Sequence, residues 1–107
     1  MPQSVRQYWW NLKGRSSLNF NWSAINEDSV VVVTASEYNP DAGNPKASPR
    51  FVGAATISVE NVSPHGPPAD PNHGVTFVVN VDWPTPLHVV TDITVFDPPV
   101  DIEAQAG

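Results

Sequence analysis

Between positions 74 and 96 the chain reads GVTFVVNVDWPTPLHVVTDITVF and alternates apolar with polar residues almost without interruption. Val75, Phe77, Val79, Val81 and Trp83 share one parity, whereas Thr76, Asn80 and Asp82 fall on the other. Residues two apart in a strand line the same face. The first half therefore predicts a strand, with Trp83 extending the buried row. Pro84 and Pro86 cannot donate to a ladder, so the pairing is expected to break there. A second strand follows, with Leu87, Val89, Thr91, Ile93 and Val95 inward. His88, Asp92 and Thr94 then share the opposite face, toward which Asp82 also points by alternation.

The rest of the chain carries shorter versions of the same pattern. QYWWNL (7–12) predicts a first strand with Tyr8, Trp10 and Leu12 on one face and Trp9 on the other. KGRSS reads as a turn, after which Leu18, Phe20 and Trp22 point in and Asn19, Asn21 and Ser23 point out. INED (25–28) is the next turn. The apolar centre of SVVVVTASEY (29–38) predicts a strand buried on both faces. FVGAATISVENV (51–62) predicts another, with Ala55, Ile57 and Val59 inward. Residues 39–49 and 63–74 are proline-rich loops, and 97–107 reads as a tail that only a partner would order.

The sum is an all-β fold: a single domain over 1–107, built as a small antiparallel β-sandwich of about six strands. Its predicted core holds Phe20, Val31, Ile57, Phe77, Val79, Trp83 and Ile93.

Composition agrees with that class. Twelve prolines in 107 residues leave few windows for a helix, and 40% hydrophobic with 15% charged residues suits a folded chain. With no cysteine, neither a disulfide nor a thiolate metal site is available. No signal-type run follows Met1 and no stretch reaches membrane-spanning length. The expectation is a cytoplasmic protein, or one released without a classical signal peptide.

The net charge of −6 argues against nucleic acid and anionic membranes as partners. Its distribution is uneven. Residues 1–50 hold five basic and four acidic side chains, giving +1; residues 51–107 hold seven acidic and no basic ones, giving −7. This reads either as a solvated acidic face or as two halves that attract each other within or between subunits.

Catalytic patterns are missing: there is no Gly-x-Ser-x-Gly elbow, phosphate loop or His-Glu-x-x-His helix. The expectation is a non-enzyme. His65, Asp70 and His73 share a loop, but their spacing matches no ligand pattern, and they read as loop residues with no metal. NPDAGN (39–44) is rich in oxygen but lacks the spaced carboxylates and terminal glutamate of a calcium hand. No cofactor is expected.

Asp82, His88 and Asp92 form either an ordinary solvent face or a surface for sugar hydroxyls, since carboxylates accept in pairs and imidazole can both donate and accept. Trp9 reads either as a subunit contact or as an aromatic that stacks on a sugar, with Trp10 as a second stacking candidate.

The succession Phe20, VVVV, a polar loop, ISVENVS, GVTFVVNVDW and LHVVTDITVF resembles the H-type lectin domain over residues 18–96. That resemblance implies a six-stranded antiparallel sandwich, subunits in trimers, and binding of N-acetylgalactosamine and related sugars at subunit edges. The leading expectation is a non-catalytic, lectin-like homo-oligomer that binds carbohydrate. The alternative is a structural or assembly subunit, of coat, tail or scaffold type, without a small-molecule ligand.

Overall fold

The computed structural model describes residues 2–40 and 49–106. The described residues form seven strands: β1 (Gln3–Leu12), β2 (Gly14–Asn21), β3 (Val30–Tyr38), β4 (Arg50–Phe51), β5 (Thr56–His65), β6 (Gly74–Asp82) and β7 (Leu87–Phe96). They build two antiparallel sheets, one of four strands in the order β1-β7-β3-β4 and one of three in the order β2-β6-β5. The fold is all-β, a small sandwich, but the single strand expected over 51–62 is split: Phe51 belongs to β4 in the four-stranded sheet, and β5 starts at Thr56 in the other sheet and runs on to His65, into the expected loop. Most of 39–44, the oxygen-rich loop, lies outside the described residues.

β6 and β7 are the central strands, and their alternation is why. Val75, Phe77, Val79 and Val81 from one sheet meet Val89, Ile93 and Val95 from the other in a single buried cluster. Phe20, Val31 and Ile57 pack against it from the flanking strands. The two sheets also approach each other along β3 and β5. The chain changes sheet three times at the same end of the sandwich: at Lys13, between β1 and β2, at residues 52–55, between β4 and β5, and at residues 83–86, between β6 and β7.

Four further sequence expectations are corrected. Trp83 is not a core residue: its exposure is 39%. Its amide donates to the Val81 carbonyl at 3.1 Å, a three-residue turn that bends the chain off the ladder before alternation can carry the indole inward. β3 is buried on one face only. Val33 is inside and Val31 packs on the core, whereas Val30 and Val32 face outward on a sheet that no further layer covers. KGRSS is not wholly a turn, because Gly14, with φ 63°, opens β2 directly.

The fourth correction concerns Ile25, read as part of a turn but fully buried. The turn itself exists, closed by the Ile25 amide on the Trp22 carbonyl at 3.0 Å, and it presses the sec-butyl side chain into the core.

At the opposite end of the sandwich, the loop histidines act as braces. His73 Nδ1 lies 2.6 Å from the Ile25 carbonyl oxygen, while the Trp22 amide donates to the His73 carbonyl at 2.9 Å. His65 Nδ1 and Nε2 lie 2.7 Å from the Asn72 carbonyl and from Asn19 Oδ1. Asp70 accepts from the Asn72 amide at 2.8 Å. Gly74 permits this crowding, because a Cβ there would collide with the Phe20 carbonyl oxygen and with Asn21 Cα.

Candidate functional site

The outer face of the four-stranded sheet is set by two strands, β1 and β7. They pair from Gln3↔Val95 to Trp9↔Val89, and then the register slips before Leu12↔Leu87. Trp10 and Asn11 therefore stand together opposite His88, a β-bulge. Asn11 takes φ 57°, a left-handed value that asparagine tolerates better than most residues.

The bulge consumes one residue of alternation and so inverts the expected faces. Trp9 and Leu12, three apart, both pack on the core. Tyr8 and Trp10 point outward instead. Trp9 is therefore neither an exposed platform nor a subunit contact. Its indole Nε1 donates to Thr91 Oγ1 at 2.8 Å, and its ring meets Phe77 edge-on with centroids 6.3 Å apart. Thr91, buried in the apolar interior, in turn donates to the Gln7 carbonyl at 3.3 Å, so both polar groups are satisfied.

Outside, four rings assemble around the bulge. Trp10 lies edge-on to His88 at 4.8 Å and to Tyr38 at 6.3 Å, and Tyr8 meets Tyr38 edge-on at 5.1 Å. Tyr38 is only 2% exposed although it sits on an outer face, because the other rings cover it. That burial, with Tyr8 beside it, pushes the Tyr38 phenol above its ordinary pKa. Trp10, by contrast, remains 53% exposed. The Asn11 amide donates to His88 Nδ1 at 3.3 Å, which leaves Nε2 as the proton-bearing nitrogen of a neutral ring.

Further along the same face, Asp92 pairs across the ladder with Arg6 on β1 and Thr34 on β3. Arg6 grips the carboxylate with two bonds, Nε to Oδ1 at 2.6 Å and Nη2 to Oδ2 at 3.1 Å. Arg50 of β4 adds Nη1 to Oδ2 at 2.9 Å. The hydrogen bond from Arg6 is the main reason that the Asp92 carboxyl is held below its usual pKa, with both guanidinium charges adding to it against partial burial. Arg6 is shifted upward in return.

Asp92 thus does not present a free carboxylate. It aligns two guanidinium groups, each about half exposed at 45% and 46%. Ser4, Arg6, Thr34, Asp92 and Thr94 line an open groove of about 480 Å³ beside them. His88 and Asp92 are four residues apart on β7, about 13 Å at the usual rise of a strand.

Of the five candidate residues, the structure brings Trp10, His88 and Asp92 onto one face. Trp9 is turned inward. Asp82 lies on the other sheet, at the end of β6 opposite Thr56, on an outer surface that faces away from His88 and Asp92. The expected three-residue face is corrected accordingly: alternation was carried through residues 83–86, where the chain in fact changes sheet.

Tyr8, Tyr38, Arg6 and Arg50 were not foreseen. Tyr8 and Arg6 become visible once the bulge is known, since both share the outward parity of β1. The arrival of Arg50 depends on the pairing Tyr38↔Arg50 across a long loop, for which the sequence holds no local signal.

No family model matches the chain, and neither a curated protein nor a solved structure matches it at a significant level.

Proposed function

We propose that the protein is a non-catalytic carbohydrate-binding module, and that its ligand lies on the outer face of the four-stranded sheet between Trp10 and Asp92. The observation that carries this reading is the Trp10 indole, half exposed yet held edge-on by His88 and Tyr38. A ring fixed in this way offers an apolar face to a sugar at little entropic cost. Next to it, the donors of Arg6 and Arg50 and the Nε2–H of His88 suit hydroxyl and carbonyl oxygens. The strand order that resembles the H-type lectins over residues 18–96 supports the same reading.

Each hydrogen bond to an uncharged hydroxyl contributes about 1 kcal/mol net, so a single site binds weakly. Useful avidity then requires several sites per particle. A homo-oligomer supplies them, with the trimer as the state that the resemblance implies. The test is a glycan array probed with the wild-type protein and with Trp10→Ala. Binding that the substitution abolishes supports the reading; equal signals from both proteins, or none from either, contradict it.

One observation favours the second reading, an assembly subunit without a glycan ligand. Val30, Val32 and Phe96 lie exposed on the same outer face at 37%, 47% and 40%, and Val30 pairs directly with Phe96. A second copy is the occupant this patch suits, given the +1 and −7 division of charge along the chain. Large assemblies without glycan retention would favour this alternative.

A further inference from the structure

The end of the sandwich where β6 hands over to β7 holds a carboxylate that nothing in the described fold answers. Glu37 stands on the inward parity of β3, two residues beyond Ala35, and pairs in register with Phe51 of β4. It is half-buried, and among the described residues it has neither a hydrogen bond nor an ion pair. Gly53 closes over it so tightly that an added Cβ would stand 2.8 Å from Glu37 Oε1 and 3.2 Å from the Phe51 ring.

Two adjoining depressions, of about 140 and 130 Å³, share Glu37, Phe51, Gly53 and Ala55 in their walls. Trp83 and Leu87 complete the second. The rings of Phe51 and Trp83 are 42% and 39% exposed. The surroundings are thus a single carboxylate, Ser36, small apolar groups and two accessible aromatic side chains.

A carboxylate without a partner, set in an apolar depression, attracts a cation. Among the described residues no set of three His, Asp or Glu side chains converges to hold a metal ion. An anion would be repelled. An organic ammonium ion fits on both counts: its charge meets Glu37 and its carbon skeleton meets Trp83, Phe51 and Leu87. Aromatic faces beside a carboxylate favour such cations through the ring quadrupole.

We propose that Glu37, Phe51 and Trp83 form a binding site for a small organic ammonium ion, distinct from the outer face of the four-stranded sheet. The site would take either a free amine or the ammonium end of a side chain, since both present the same chemistry. Its proximity to the sheet crossing also gives a role to the exposed indole of Trp83, which the core does not use.

The experiment is a titration of the full chain with choline and with n-butylammonium, read by the Trp83 indole N–H and Gly53 amide resonances. The uncharged neohexyl alcohol, isosteric with choline, is the control. The expected result is a saturable shift of both resonances by at least one cation, about tenfold weaker or absent with the alcohol. Glu37→Gln should weaken cation binding about tenfold with the remaining spectrum unchanged, and Trp83→Ala should also weaken it, as read from Gly53. An acetyl-lysine and a lysine peptide then separate a side-chain ligand from a free amine. Absence of a saturable shift with either cation, an equal response to the alcohol, or undiminished binding by Glu37→Gln overturns the proposal.

Discussion

Trp9, Trp10 and Trp83 are chemically alike and are used in three different ways. Trp9 seals the interior and donates to Thr91, Trp10 stands outside among rings, and Trp83 lines an edge pocket. Their substitutions should separate accordingly. Trp83→Ala is expected to cost no more than about 1 kcal/mol in urea unfolding, as for other part-exposed positions. Phe77→Ala, in the centre of the core, should cost about 3–5 kcal/mol. A Trp83 variant as unstable as the Phe77 variant would put the indole back in the core. Thr91→Val should cost about 1–3 kcal/mol despite its matched shape, since it strands the Trp9 N–H in the interior.

Acidity tests Asp92 at the same scale. Its folded pKa lies below its unfolded value, so the stabilisation is fully present above the unfolded pKa of about 3.9. It is lost as pH falls through the folded value. The stability gap between wild type and Asp92→Asn should therefore be constant from neutral pH down to that point and shrink only in more acidic solution. A gap that instead closes near neutrality would contradict the assignment.

At the scale of strands, β6 and β7 were legible because their ladders run unbroken and both are central, so period two survives from end to end. β1 and β5 were less so, for one shared reason. Each contains a bulge in which two residues face one, at Trp10–Asn11 and at Asn61–Val62. Each bulge has an asparagine at positive φ, Asn11 at 57° and Asn61 at 53°. Past such a residue, parity inverts, and a count by twos assigns every later side chain to the wrong face. An asparagine in an otherwise apolar strand is a faint signal for this, which is why Leu12 was placed on the face of Tyr8 and Trp10 when it shares that of Trp9. Asn11→Gly should leave stability nearly unchanged, whereas Asn11→Val should cost about 1–2 kcal/mol by forcing a β-branched residue into the left-handed region. If Asn11→Val folds as stably as wild type, the bulge is not where the register places it.

For the molecule as a whole, the same outer sheet face carries the ring cluster at one end and the apolar Val30, Val32 and Phe96 patch at the other. Carbohydrate binding and self-association are thus compatible on one surface, with the apolar end paired against a copy and the aromatic end left open. Sedimentation at micromolar concentration should show a species larger than the 11.6 kDa chain, and Val32→Lys should return it to the monomer. A wild-type protein that sediments only as monomer would remove the oligomer. The candidate site was only partly legible at this scale, because Arg50 reaches Asp92 through a pairing between segments that no local pattern connects.

The most direct test of glycan binding uses the four indole N–H resonances, one from each tryptophan. The folded protein is titrated with galactosamine-type glycans while Trp9, Trp10, Trp22 and Trp83 are followed together. The expected result is a saturable shift of Trp10, accompanied by His88, with Trp22 and Trp83 unmoved. Shifts confined to Trp22 or Trp83, or no shift at any indole up to saturating glycan, would contradict carbohydrate binding on this face.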